Sequence, residues 1–376
     1  MSALREPEAS LAATPADHDR RCRQLDRLLE VAGANALILG MASHVAWALC
    51  GADLRIQVSA ELAWGYLVVR PGSRTVVTWA MDGRRFAEEE LPADVEVVAL
   101  RWDEGEPRRT ALRLAGEGRI LSDRDLPGTE PAATALRAAQ YPLSDLELRR
   151  ARWIAARLDH HCRDVADGLE PGMSEYEVAA LLTAACLRDG LAVDEMMVGF
   201  DARIERYRHP VARGARLERT AFFHPTVNRW GQHIIATRMV SLGPPGKQLA
   251  DRFAAVSEIE AWSVRMTRPG SRYAEILEGQ QRLYARLGYA DAWRDHWQGG
   301  QTGFALCEIA HVDRPQERMP EHGLYNWFIT LPGAKKEETT LSTAEGGRIL
   351  TLTGAWPTRA VATELGAVEV ADILVR

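Results

Sequence analysis

The chain has 376 residues, of which 46% are hydrophobic and 26% charged, with a formal net charge of −6. That length accommodates two domains, or one large one with a real core. The acidic balance gives no footing for nucleic-acid binding, and no apolar run reaches the roughly 18 residues that a membrane-spanning helix needs. The cysteines, Cys22, Cys50, Cys162, Cys186 and Cys307, are dispersed and form no C-x-x-C pair. They read as reduced thiols of a cytoplasmic protein.

Residues 1–18 are polar and rich in Ala and Pro, and read as a disordered leader without the pattern of a secretion signal. Asp19 to Ala34 has the period of an amphipathic helix and stops at Gly33-Ala34-Asn35; Ala36 to Leu39 is a buried strand. Leu62 to Val69 and Arg74 to Trp79 read as paired strands across the turn Arg70-Pro71-Gly72-Ser73. A helix over 82–90 and a strand over 95–100 follow. The Pro/Ala/Thr/Gly-rich stretch Leu126 to Ala139 reads as a domain boundary, giving an α/β domain over 19–135 and a second domain over 140–376.

The second domain opens with a helix that Ser144 can cap, with Glu147 at the capping-box position. Ser174 and Glu177 repeat this relation for a second helix. Glu170-Pro171-Gly172-Met173-Ser174 and Arg268-Pro269-Gly270-Ser271-Arg272 each follow a long helix, open another, and precede strand-like sequence. This internal repeat predicts a duplicated helix-pair-plus-hairpin unit, closed into helical layers over a sheet. A site is then expected on the concave sheet face at the pseudo-twofold.

Several motifs fall in this half: Arg208-His209-Pro210, Phe222-Phe223-His224, Gly231 to Arg238, His296-Trp297-Gln298-Gly299-Gly300 and Gly333 to Thr339. In spacing they resemble the creatinase, aminopeptidase P and prolidase superfamily, with Gly231, Thr237 and Arg238 in register. The resemblance implies a creatinase-like amino-terminal α/β domain and a carboxy-terminal pita-bread domain, an α/β (α+β) fold. It also implies five metal-ligand positions. These fall on His224, Ile235, Gly300, Phe328 and Glu337, and Cys307 replaces a further histidine. Isoleucine, glycine and phenylalanine side chains cannot ligate a metal. The motifs are similar to a divergent bacterial branch that lacks the standard ligands. The expectation is therefore a site with no metal and no cofactor.

Creatinase itself works without metal, and the resemblance makes His209 the general acid/base. Imidazole titrates near pH ~6.5, which suits a proton carrier at neutral pH. By the same resemblance Glu337 anchors a cationic nitrogen or orients a water, with Glu308, His224 and His296 as further catalytic candidates. Phe222, Trp297, Phe328, Arg238 and Arg55 are the substrate-binding candidates; Arg55 would reach the site from a partner subunit of a homodimer. The leading expectation is a metal-independent hydrolase of a C–N bond in a small molecule. A lyase, cyclase or isomerase of specialised metabolism, or a non-catalytic binding protein of the same fold, uses the same parts. A metal-dependent Xaa-Pro aminopeptidase ranks last.

Overall fold

A computed structural model describes residues 7–376. The chain forms two compact units that divide between Leu146 and Glu147, with Arg229–Gln232 assigned to the first. The amino-terminal unit is a six-stranded mixed sheet. Its order is Glu96–Leu100, Ser73–Trp79, Leu62–Arg70, Ala36–Met41, Ile120–Ser122 and Glu130–Pro131. The expected hairpin across Pro71-Gly72 is present, Leu67 pairing with Val76. Ala36, Ile38, Val68 and Val77 form the core of this sheet with Ala111 and Ala115.

Three differences from the sequence reading stand out here. Within the leader, Glu8–Leu11 forms a short 3-10 helix with Leu11 fully buried, and the first α-helix begins at Pro15 behind a Thr14/Asp17 capping box; residues 1–6 lie outside the described residues. The stretch taken as a boundary contains the helix Ala133–Gln140, so the division falls later, at 146/147. The short helices Ala42–Ala48 and Pro107–Ala115 were not expected. Each is too short and alanine-rich to display more than two turns of apolar period.

The carboxy-terminal unit bears out the internal repeat. Helices Asp145–Asp167 and Glu175–Arg188 lead into the antiparallel strands Ala192–Phe200 and Thr220–Arg229; helices Lys247–Met266 and Tyr273–Arg286 lead into Gly300–Thr302 and Leu324–Asn326. The copies match in local bonding as well. Gly172 N–H donates to Leu217 and Gly270 N–H to Met319. Ser174 bridges Arg216 and Arg272 bridges Arg318. Arg216 donates to the Gly172 carbonyl at 2.7 Å and Arg318 to that of Gly270 at 2.6 Å. Both glycines sit at positive φ, 89° and 87°, which a side chain would strain. The Ser174/Glu177 capping box is formed, and the helix expected after Ser144 starts at Asp145.

A buried ion network ties three segments of this unit together. Arg238 donates to Asp159 at 2.9 Å and to Glu338, and also to the Thr351 carbonyl at 2.6 Å. Its guanidinium lies 5.3 Å from the centre of the Trp356 ring. Arg238 is 1% exposed, and both of its terminal nitrogens are spent on the scaffold. The expectation of a substrate-binding Arg238 is thus corrected to a structural one. Losing this guanidinium leaves two buried carboxylates without their cation, held only by Thr353 at Asp159 and by Thr351 at Glu338. Arg238→Met is expected to destabilise the chain by about 3–5 kcal/mol, measured by urea denaturation; a loss under 1 kcal/mol would contradict this assignment.

Candidate functional site

His209 is positioned by the residue after it. A Cβ added at Gly199 would lie 2.6 Å from the Pro210 ring, so the ring packs directly on the glycine of the neighbouring strand. That packing holds His209 at the rim of a cleft of about 450 Å3, lined by Arg208, Trp293, His296, Trp297 and His311 among others. His296 stands opposite: its Nε2 lies 2.8 Å from His209 Nε2 and its Nδ1 lies 2.7 Å from the Trp297 carbonyl. The Phe328 ring meets the His296 ring edge-on at 5.5 Å. Gln298 secures this loop by donating to the carbonyls of Trp293 and His296, both at 2.9 Å.

These contacts assign the protons. A carbonyl only accepts, so His296 Nδ1 carries a hydrogen and its Nε2 holds a lone pair. His209 Nε2 then donates to His296, and His209 Nδ1 is left as the basic nitrogen. Burial and the Lys335 ammonium push the His296 ring down to about 4. Burial and Lys335 also lower His209. Both rings are neutral at pH 7, which is what this chain of bonds requires.

A second group lies deeper. His224 sits on strand Thr220–Arg229, opposite Met197, and is 1% exposed. Its Nδ1 is 2.8 Å from Thr237 Oγ1 and 3.8 Å from Glu337 Oε2, and Phe222 stacks against its ring at 6.4 Å. Burial holds His224 well below its usual range, with Lys335, His209 and His296 adding to the effect. Lys335 Nζ is 3.3 Å from Glu337 Oε2, and both side chains are buried. Burial raises Glu337 to about 8 despite the lysine.

The run from Lys335 to Thr339, which links strand Ala334–Lys336 to strand Thr339–Thr343, explains how two sets of charges share one extended segment. In extended chain successive side chains alternate between faces. Lys335 and Glu337 point toward His224. Lys336 and Glu338 point the other way, where Lys336 pairs with Glu260 at 3.1 Å and Glu338 with Arg238. Thr339 returns to the first face, and its hydroxyl donates to the Ile235 carbonyl at 3.0 Å while accepting the Ile235 N–H at 2.9 Å.

The sequence-derived candidates therefore separate. His209, His296 and Trp297 line the cleft, Trp297 being 60% exposed at its rim, and Phe328 packs against the His296 ring. His224, Glu337 and Phe222 meet behind it, with Phe222 part of the core and turned to the ring of His224 rather than to the cleft. Glu308 is directed to Arg314. Arg55 belongs to the amino-terminal unit, where Asp53 grips it at 2.9 and 2.8 Å. Lys335 was not singled out from the sequence, because two lysines before two glutamates read as a surface charge run. Its only signal is the strand alternation, which requires one lysine and one glutamate on the inner face.

The superfamily implies a pair of metal ions, and the side chains present do not fit one. Ile235 is apolar, and its backbone is occupied by Thr339. Gly300 has no room for a ligand: a Cβ there would lie 1.8 Å from the Glu308 carbonyl oxygen. The Lys335 ammonium already occupies the space beside Glu337, 3.3 Å from its Oε2. Among the described residues no group of three or more His, Cys, Asp or Glu side chains is placed to hold a metal ion. Gly300→Ala is accordingly expected to lower the melting temperature by several degrees in a thermal scan. An unchanged melting temperature would show that the loop yields easily and that a ligand could be restored.

Residues 149–322 match the model of metallopeptidase family M24. Solved structures with the same fold include a prolidase from Pyrococcus horikoshii (TM-score 0.72, 18% identity, 89% of this chain and 98% of that one). They also include a dipeptidase from Mycobacterium ulcerans (TM-score 0.74, 19% identity, 96% and 98%). The N-terminal domain of a FACT complex subunit from Cicer arietinum is similar too (TM-score 0.67, 10% identity, 90% and 96%). Comparison with curated proteins by sequence gives no match. No helix among the described residues is long and apolar enough to cross a membrane.

Proposed function

We propose that this chain, whose residues 149–322 match the model of metallopeptidase family M24, is a metal-independent enzyme of the creatinase, aminopeptidase P and prolidase type that hydrolyses a C–N bond of a small molecule, with His209 as general acid/base. The observation that carries this reading is the 2.8 Å contact between His209 and His296 at the cleft. One imidazole is fixed in tautomer by a backbone carbonyl, and it fixes the other in turn. This is the base-plus-orienting-partner arrangement of nucleophile activation, built from two histidines. His209 Nδ1 takes a proton from water, and the hydroxide adds to the carbonyl or amidine carbon. The C–N bond then breaks, and the leaving nitrogen receives the proton back from the imidazolium. His296 Nε2 accepts the His209 hydrogen bond throughout, which steadies the charged ring. Glu337, protonated below about pH 8, donates a hydrogen bond to the developing oxyanion or amidine nitrogen.

The same geometry serves elimination or cyclisation if His209 takes a carbon-bound or amine proton instead. A binding protein without catalysis is the competing reading. It is favoured by the FACT-subunit likeness, which shows this fold in a protein named for a complex rather than a hydrolytic activity. In the catalytic reading the cytoplasmic protein acts as a homodimer on a small-molecule substrate.

The pH dependence follows from the two shifts. His209 is active when neutral, and its pKa is lowered, so activity is gained as pH rises through a value below 6.5. Glu337 is useful when protonated, so activity is lost as pH rises through about 8. A bell-shaped rate profile is expected on a substrate found by thermal-shift screening of guanidino acids, cyclic amidines and aromatic amino-acid derivatives, with the alkaline limb removed in Glu337→Gln. A profile flat from pH 5 to 9 would contradict both roles.

His209→Ala is expected to reduce kcat by about 10²–10⁴-fold with the melting temperature little changed, since this ring sits at the cleft rim. A His209→Ala protein with full activity would refute the assignment, and one that binds ligand normally with no turnover in wild type would favour the binding protein.

A further inference from the structure

Trp297 is the aromatic side chain of the cleft that its neighbours leave open. The other rings there are engaged. His209 and His296 meet edge to face with 4.8 Å between centroids, and Phe328 packs on His296. The Arg294 guanidinium lies 4.7 Å from the centre of the Trp293 ring. Among the described residues no ring or cation is stacked on Trp297, and the side chain is 60% exposed. A single exposed hydrophobe on a convex surface needs no explanation. Here the indole shares a cleft with Leu277 and with Val312, which is 65% exposed. Apolar surface gathered in a concavity beside a few fixed polar groups is the ordinary form of a small-molecule site.

The indole is carried on fixed backbone. The Trp297 carbonyl accepts from His296 Nδ1 at 2.7 Å, and the next residue, Gln298, donates to the carbonyls of Trp293 and His296. These bonds close the segment 293–298 on itself, so little backbone freedom is left to lose when a ligand docks on the ring. The charges of the lining decide which ligand that is. Arg208 and Arg294 both line the cleft, and among the described lining residues Asp295 is the one carboxylate. Arg208 takes Asp295 at 3.2 Å. Arg294 reaches only Asp291, outside the cleft, where that carboxylate is 91% exposed and screened by solvent. The lining is therefore net positive. A cation, which an indole face otherwise attracts, is repelled here.

Resting on the reading of the cleft as a substrate site, we propose that Trp297 determines specificity by stacking an uncharged aromatic ring of the substrate. Trp297 directly follows His296, which touches His209 at 2.8 Å, so a ring on the indole lies a short linker away from the bond that His209 works on. The substrate class narrows to aryl or arylalkyl amides and uncharged relatives, and away from guanidino acids without a ring. A cleft of about 450 Å3 admits such a ring with a short chain. Offset stacking of two π-systems adds to the burial of area, which is why an aromatic ring is preferred to a saturated one of the same size.

The test uses the full chain and three probes: N-acetylphenylalaninamide, N-acetylcyclohexylalaninamide, and the para-amidino derivative of the first, whose ring is cationic. Calorimetric titration reads binding without requiring turnover. The phenyl probe is expected to bind about three- to tenfold more tightly than the cyclohexyl probe, and the cationic probe more weakly than either. Apolar area alone would favour the saturated ring, so a phenyl preference reports stacking. Trp297→Leu keeps an apolar side chain and is expected to abolish the preference, while Trp297→Phe retains most of it. The melting temperature of both variants should stay near that of the wild type, since the side chain is 60% exposed. Equal or tighter binding of the saturated ring, tighter binding of the cationic ring, a preference unaltered in Trp297→Leu, or no binding of the phenyl probe at millimolar concentration would each overturn the inference. Phenyl-selective binding that depends on Trp297, with no cleavage of the probes or of the screened ligands, would leave the stacking site standing and remove the hydrolase. Cleavage blind both to the ring and to Trp297→Leu would do the reverse.

Discussion

A buried charge needs a partner, and one short extended run, Lys335 to Thr339, meets that need on two faces at once. On the inner face Lys335 pairs with Glu337 at 3.3 Å; on the outer face Lys336 pairs with Glu260 and Glu338 with Arg238. The rest of the unit is organised around this alternation. Arg238 fastens the outer face to Asp159 on the first long helix. Thr237, beside Arg238 in sequence, turns inward to His224. A shift of register by one residue would exchange the two sets of charges and leave both without matching partners.

The fold and the chemistry of the site are thus separable. The duplicated helix-pair-plus-strand unit, with its paired glycines and matched arginine contacts, belongs to the fold that this chain shares with a prolidase and a dipeptidase at below 20% identity. Positions where the superfamily resemblance expects metal ligands carry a backbone contact at Gly300, an apolar side chain at Ile235 and a histidine at His224. Those exchanges leave an interior in which an ammonium is the fixed cation. In the proposed mechanism the histidine pair at the cleft mouth supplies the proton-transfer function that a metal-bound water supplies elsewhere.

Much of this was legible in the sequence. The proline-glycine openings of the repeated helices carry their own turn chemistry, and the strand register around Gly231, Thr237 and Arg238 fixed which residues face inward. His224 follows from that register, whereas His209, His296 and Glu337 follow from the motifs Arg208-His209-Pro210, His296-Trp297-Gln298-Gly299-Gly300 and Gly333 to Thr339. What sequence could not give is direction and partnership. Arg238 looks like a site residue until Asp159, 79 positions away, and Glu338 are seen to enclose it. Lys335 looks like surface charge until its strand is seen to be buried on both faces. The helix Ala133–Gln140 was hidden for a different reason, since alanine, proline and threonine together read equally well as a linker.

The central claim is that Lys335, rather than a divalent metal, is the cation of this site. The most direct measurement is equilibrium dialysis of chelator-stripped protein against zinc, manganese and cobalt, with the bound metal counted by mass spectrometry. The account predicts no stoichiometric binding of any of the three. Retention of one or two metal ions per chain, lost when His224 and Glu337 are replaced, would contradict it.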